Sequence, residues 1–162
     1  MSTGFWDWAV AAYAAPGVAE ECLHLQDVHE QAVPLLLWAA WCAETSRAPD
    51  EEAIEGAIDT TRVWADHAVV PLRDLRRALK TRRPDMADDD REAVRAQVKA
   101  VELEAERRLM LALEGLAPES GGKTSPMVEL LVRVARAWGD QIPRPALGHL
   151  AVQLADADLA LH

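Results

Sequence analysis

The stretch Leu35-Leu36-Leu37-Trp38-Ala39-Ala40-Trp41-Cys42 decides the fold. It belongs to an uncharged apolar run over residues 32–43, and Pro34 suits a first helical turn because no backbone N–H is needed there. A helix that is apolar on every side is buried on every side. We therefore expect a central buried helix over residues 34–45. The run is well short of the roughly 20 residues that span a bilayer, so no membrane partner is expected.

Two helical patterns precede this run. The first follows Phe5-Trp6-Asp7-Trp8, where Ser2 or Thr3 can cap the helix and the Asp7 charge favours its positive end. The second begins at about Pro16 and ends at about Gln31. Its apolar stripe predicts one buried face, made of Val18, Cys22, Leu25, His29 and Ala32.

Four further segments complete the pattern. A seven-residue repeat from Asp50 predicts one long helix that is kinked at Pro71. The next helix ends near Gly115 and is expected to turn one apolar stripe inward: Val94, Val98, Val101, Ala105, Leu109 and Ala112. Residues 116–125 predict a mobile loop, because Pro118, Gly121 and Gly122 interrupt the pattern. A helix from Pro126 with Trp138 inward and a weaker C-terminal helix over residues 145–160 follow.

Composition and length define the class. The 162 residues are half hydrophobic and rich in the good helix formers Ala, Leu, Glu and Arg. These features predict one all-α domain over residues 1–162, a bundle of six to seven helices. The net charge of -10 makes nucleic acid an unlikely partner. With two cysteines and no secretory pattern at the N-terminus, we expect a reduced, cytoplasmic protein, either monomeric or homodimeric.

The sharpest surface feature is a basic stripe. The segment 71–83 carries six arginine and lysine residues against Asp74. At helical spacing, four of them share a face apart from the leucines, and we predict partner binding there through Arg73, Arg76, Arg77 and Lys80. The alternative is neutralisation within the fold by the next helix, through Glu92, Glu102, Glu104 and Glu106.

A second candidate site lies between the second and third helices. If these helices pair antiparallel around Ala32, a polar cluster is enclosed between them: Cys22, Gln26, His29, Trp38 and Cys42. It is interpreted either as a ligand pocket, redox pair or half metal site, or as buried groups that satisfy one another around small hydrophobic thiols.

Two weaker patterns favour ordinary surfaces. Glu20 and His24 share a helix face, but the second histidine of a zinc-binding helix is missing, and His29 is expected to point away from His24. Ser120-Gly121-Gly122-Lys123-Thr124-Ser125 imitates a phosphate-binding loop, yet Ala117 stands where its first glycine belongs and a helix precedes it. We expect no bound metal, nucleotide or other cofactor.

The N-terminal motifs resemble a family of short all-helical bacterial proteins of unknown function. The resemblance rests on Phe5-Trp6-Asp7-Trp8, Tyr13, Pro16-Gly17-Val18, Cys22-Leu23, Leu25-Gln26-Asp27 and Leu35-Leu36-Leu37-Trp38, and extends to Val69-Val70-Pro71-Leu72-Arg73, Leu75-Arg76-Arg77 and the helix around residues 101–108. Glu30-Gln31 stand where a glycine turn is more usual in that family. The resemblance implies a helical fold and a bacterial cytoplasmic setting, and no activity.

Three functional hypotheses follow. The first is a non-catalytic interaction or regulatory module that docks a partner on the basic stripe or in an apolar groove between helices. The second is a small-molecule-binding protein or enzyme with its site in the cluster around Gln26 and His29. The third is a surface whose acidic remainder mimics nucleic acid toward a basic protein.

Overall fold

The computed structural model describes residues 4–123, 125–157 and 159. Its helices are α1 (Phe5–Ala14), α2 (Val18–Asp27), α3 (Val33–Glu44), α4 (Glu51–Trp64), α5 (Val70–Ala78), α6 (Asp88–Leu116), α7 (Met127–Trp138) and α8 (Arg144–Asp156). A π-helical segment, Ala65–Val69, joins α4 to α5 without interruption. The described residues thus form seven continuous helices and no strand, which confirms the predicted all-α bundle.

Helix α3 lies at the centre of the bundle, as predicted. Every side chain from Leu35 to Cys42 is buried, and α3 packs against α1, α2, α4, α6 and α7. The indole N–H of Trp38 donates to the Leu113 carbonyl of α6 at 2.8 Å. This bond satisfies the single polar group of a large buried ring and fixes α3 against α6.

Helix α1 is capped from α6. Its N-cap residue, Gly4, offers no side chain, and the Phe5 N–H instead donates to Glu114 Oε1 at 2.7 Å. A carboxylate at this end is favoured by the helix dipole. The predicted caps Ser2 and Thr3 lie outside the described residues. Phe5 at the start of α1 contacts Glu114, whereas Tyr13, the penultimate residue, lies near Glu106, so α1 and α6 run antiparallel.

Helix α2 is shorter than predicted. It ends at Asp27 rather than Gln31, because the chain turns through Glu30, whose φ of 54° lies in the left-handed region. The Glu30 carbonyl accepts the indole N–H of Trp138 at 3.0 Å, which ties the turn to α7. Glycine adopts this left-handed conformation at little cost, which agrees with the glycine turn expected here from the family resemblance.

The segment from α4 to α5 is one continuous helical segment, as predicted, and its irregularity is the π-helical stretch Ala65–Val69. Proline at position 71 has no N–H for the carbonyl of His67, and its ring crowds that carbonyl. A wider π-type turn immediately before Pro71 relieves both conflicts. The segment then returns at Lys80 to Asp88 through the isolated bridge between Arg83 and Met86, and α6 packs back on α5.

The inward face of α6 differs from the predicted stripe. Val94 and Val101 are about half exposed, at 52% and 53%, whereas Arg91 and Glu102 are buried. The spacing of apolar residues did not predict this face because its buried residues are charged and have partners. Arg91 Nε donates to the Leu79 carbonyl at 3.0 Å, and Glu102 forms ion pairs with the arginines of α5. Towards the C-terminus the prediction is right for Ala105 and Leu109, which are buried, and wrong for Ala112, which is exposed.

The loop after α6 is tied to the end of α3. The backbone N–H groups of Gly121 and Gly122 both donate to the Ser46 carbonyl, at 2.9 and 3.0 Å. Arg47 donates to the Pro118 carbonyl at 2.9 Å. The predicted mobility of residues 116–125 stays a prediction, and Thr124 lies outside the described residues.

Candidate binding groove between α1, α3 and α6

Two of the four residues of the basic stripe, Arg73 and Arg76, are turned towards α6. Arg76 is bidentate on Glu102, with Nε at 2.5 Å from one oxygen and Nη2 at 3.3 Å from the other. Arg73 lies 3.5 Å from Glu102 and 3.7 Å from Glu106, and the Glu102 side chain is only 8% exposed. These contacts agree with the neutralisation alternative for two members of the stripe.

The other two members of the stripe face outward. Arg77 is 52% exposed and lies 3.4 Å from Asp27 of α2. Lys80 is exposed and forms no ion pair within the part of the chain that the structure describes. Of the other predicted neutralising residues, Glu104 pairs with Arg108 on its own helix, and Glu92 contacts Arg91 and Arg95.

The predicted polar cluster is not assembled around one cavity. Cys22, Trp38 and Cys42 are at most 1% exposed, and burial raises the pKa of each thiol to about 12. Trp38 is engaged with the Leu113 carbonyl. Among the five residues, only Gln26 lines the groove described below.

His29 contacts His24, contrary to the prediction that it points away. Their ring centroids are 4.9 Å apart in an edge-to-face arrangement. The prediction assumed that α2 continues to Gln31, whereas the helix ends at Asp27 and the turn brings His29 back. Across the described ranges, no group of three or more His, Cys, Asp or Glu side chains is placed to hold a metal ion.

An apolar groove of about 480 Å³ opens between α1, the start of α3 and α6, beside the end of α2. This volume is within the usual range of small-molecule sites. The lining is mostly hydrophobic and includes two aromatic rings: Trp6, Ala9, Val10, Tyr13, Ala14, Gln26, Val33, Pro34, Leu37, Leu103, Glu106 and Met110. Val10 and Leu103 are 53% and 55% exposed, so the groove has an apolar rim.

The groove has a polar end and an apolar end. Because α1 and α6 are antiparallel, Trp6 lies towards Met110, and Tyr13 towards Glu106 and Leu103. Gln26, near the end of α2, adds a carboxamide to the lining. Beyond Glu106 lie Arg73 and its ion pairs. One residue of each site that the sequence suggested is therefore associated with the groove: Gln26 of the polar cluster lines it, and Arg73 of the stripe contacts Glu106.

Burial and a neighbouring charge act on the carboxyl group at the polar end. Burial is the main cause that raises the pKa of Glu106 and the neighbouring Glu102 adds to it, whereas Arg73 and Arg76 lower it and offset the rise only in part. Burial likewise raises the pKa of Tyr13. A carboxyl group in such surroundings is ionised at a cost and gains from any additional positive partner.

Sequence reasoning missed most of the groove. Trp6 and Tyr13 are seven residues apart and therefore share a helix face, but the sequence pattern does not show that this face borders a groove. Glu106 was considered only as a neutralising charge. The antiparallel placement of α1 on α6 was the information that spacing did not provide.

The fold and the groove define an all-α protein with one mainly apolar groove bordered by an arginine–glutamate cluster. The chain matches, over residues 4–113, the family described as a protein of unknown function, DUF2390, and it belongs to that family. All the groove-lining residues lie inside the matched segment. Neither the curated proteins nor the solved structures contain a match. In the described part of the chain, no helix is both long and apolar enough to cross a membrane.

Proposed function

We propose that this protein is a non-catalytic binding protein that takes the apolar body of a small organic ligand into the groove between α1, α3 and α6. The observation that carries the proposal is the groove itself, about 480 Å³, lined mainly by apolar side chains together with the polar groups of Tyr13, Gln26 and Glu106. Such a combination is typical of small-molecule sites, in which apolar area gives affinity and a few polar groups give orientation.

Ligand binding of this kind fits a regulatory or interaction role. The groove borders α5 through the contacts of Arg73 with Glu102 and Glu106. A ligand that contacts Glu106 would therefore be separated by one ion pair from α5, the helix that exposes Arg77. We place the protein in a reducing compartment such as the bacterial cytoplasm, which its two free buried cysteines support.

Two tryptophan substitutions at alanine positions of α1 test the groove. Ala14 and Ala11 are both exposed on α1, but only Ala14 lines the groove. We expect Ala14→Trp to fill the space and Ala11→Trp to leave it open. The probe is N-phenyl-1-naphthylamine, an uncharged dye that fluoresces in apolar sites. Saturable binding by the wild type and Ala11→Trp, with loss in Ala14→Trp, supports the proposal, and equal binding by all three contradicts it.

The second candidate function is docking of an acidic partner on the outward members of the basic stripe. The exposure of Arg77 and Lys80 favours it, although Arg73 and Arg76 are engaged with glutamates. The double variant Arg77→Glu and Lys80→Glu should abolish retention on poly-glutamate at low salt without unfolding the protein. Unchanged retention would remove this candidate.

A further inference from the structure

The polar end of the groove has a definite sign. Among the described side chains that line the groove, Glu106 is the one that carries a charge, and no arginine, lysine or histidine is present. The nearest guanidinium, that of Arg73, lies behind Glu106 and is divided between two carboxylates. A ligand that reaches this end therefore meets a carboxylate first.

The oxygen atoms at this end have unused acceptor capacity. Arg73 approaches Glu106 only to 3.7 Å, longer than the roughly 2.7–2.9 Å of a direct charge-assisted hydrogen bond. Gln26 donates its Nε2 to Asp27, and among the described residues nothing donates to its Oε1. The Tyr13 hydroxyl makes no hydrogen bond within the described ranges. The three groups together form an acceptor set beside an apolar cavity.

We infer that the groove selects a small ligand with an apolar body and one protonated amine, whose ammonium group contacts Glu106 while its body lies against Trp6, Leu37 and Met110. This inference rests on the proposed function and adds the chemical class of the ligand. Charge complementarity carries it, because a carboxylate in a mainly apolar site is stabilised by a cation that donates hydrogen bonds. The Tyr13 ring, which lies towards Glu106, favours the same sign of charge when a cation lies over its face.

Electrostatics in the surroundings agree with this choice. Glu102 is already bidentate with Arg76, so the ion pairs of the cluster leave Glu106 as the carboxylate with the weaker partner. An anionic ligand would add a third negative group beside Glu102 and Glu106. The nearest positive partner for an anionic ligand would be Arg73. This arginine does not line the groove and is already paired with both carboxylates.

A head-group series of constant chain length tests the inference. Octylammonium, 1-octanol and octanoate are titrated calorimetrically into the wild-type protein at pH 7. We expect octylammonium to bind at least about tenfold more tightly than octanol, and octanoate to bind most weakly. In Glu106→Gln the preference for the cation should disappear while octanol binding remains. The matched control is Glu104→Gln on the exposed face of α6, which should behave as the wild type.

Each other outcome is decisive. Equal affinities for the three head groups, or tighter binding of octanoate, overturn the charge assignment and leave the apolar groove intact. An unchanged cation preference in folded Glu106→Gln overturns the role of Glu106. If none of the three compounds nor the uncharged dye binds, both this inference and the proposed function fail. Should Glu106→Gln not fold, the head-group series on the wild type still decides, and Gln26→Leu is expected to weaken octylammonium alone.

Discussion

In the C-terminal half of α6 the buried side chains are apolar, whereas from the middle of the helix towards its N-terminus the buried side chains, Glu102 and Arg91, are charged and paired. Leu109 and Leu113 pack into the core, and the Leu113 carbonyl accepts the Trp38 indole. Towards the other end, Glu102 is buried between Arg73 and Arg76. The groove lies alongside α6 where these two kinds of packing meet, so it has an apolar end and a polar end. The comparison teaches that the site arises from a change in packing chemistry along one helix.

Thiol labelling should show the largest contrast. Cys22 and Cys42 lie in the apolar core, where burial raises each pKa from 9.0 to about 12. At pH 8 the thiolate fraction is thereby reduced about a thousandfold, so neither should react with a thiol reagent before unfolding. Between pH 9 and 12 the thiols ionise in the unfolded chain but stay neutral in the folded protein. The free energy of unfolding should therefore fall as the pH rises through this range. Rapid labelling of the native protein would contradict the dry core.

A leucine pair tests the apolar half of α6. Leu113→Ala should lower the free energy of unfolding by about 3 kcal/mol, because it leaves a cavity beside α3. Leu111, which is 40% exposed, provides the control, and Leu111→Ala should cost less than about 1 kcal/mol. Denaturant unfolding measures both. Similar losses for the two variants would mean that α6 is oriented differently.

A glutamate pair tests the ionic half. Glu102→Gln should lower the free energy of unfolding by about 2 kcal/mol, since it removes the negative charge shared by two partly buried arginines. Glu104→Gln breaks only an exposed pair with Arg108 and should cost about 0.3–0.5 kcal/mol. Urea titrations at low and high salt distinguish them. An unchanged free energy of unfolding in Glu102→Gln would show that the cluster contributes nothing to the packing of α5 on α6.

The turn between α2 and α3, which leads into the apolar core, gives the smallest expected effect. Glu30 has a φ of 54°, which a residue with a Cβ atom adopts at a cost. Glu30→Gly should therefore raise the free energy of unfolding by about 1 kcal/mol, and the hydrogen bond from the Trp138 indole N–H to the carbonyl of residue 30 should persist. Glu119→Gly, in the exposed loop after α6, is the control and should not stabilise the protein. A destabilised Glu30→Gly would contradict the left-handed turn.

The sequence predicted the apolar core around α3 better than the ion pairs between α5 and α6. The run from Leu35 to Cys42 permits only a buried helix, so α3 was placed correctly. Val94 and Val101 were expected inside and are exposed, because the pairing of Arg91 and Glu102 depends on α5, which the spacing within α6 cannot reveal. The groove was not predicted for a related reason. Trp6 and Glu106 line the same groove only because α1 packs antiparallel on α6.

A crystal structure of the protein with octylammonium tests the central claim most directly. The account predicts the alkyl chain between Trp6, Leu37 and Met110, with the nitrogen within roughly 3 Å of a Glu106 carboxylate oxygen. An empty groove with the ligand elsewhere on the surface would contradict the proposed site. A chain in the groove with its ammonium group away from Glu106 would contradict the assigned polar end.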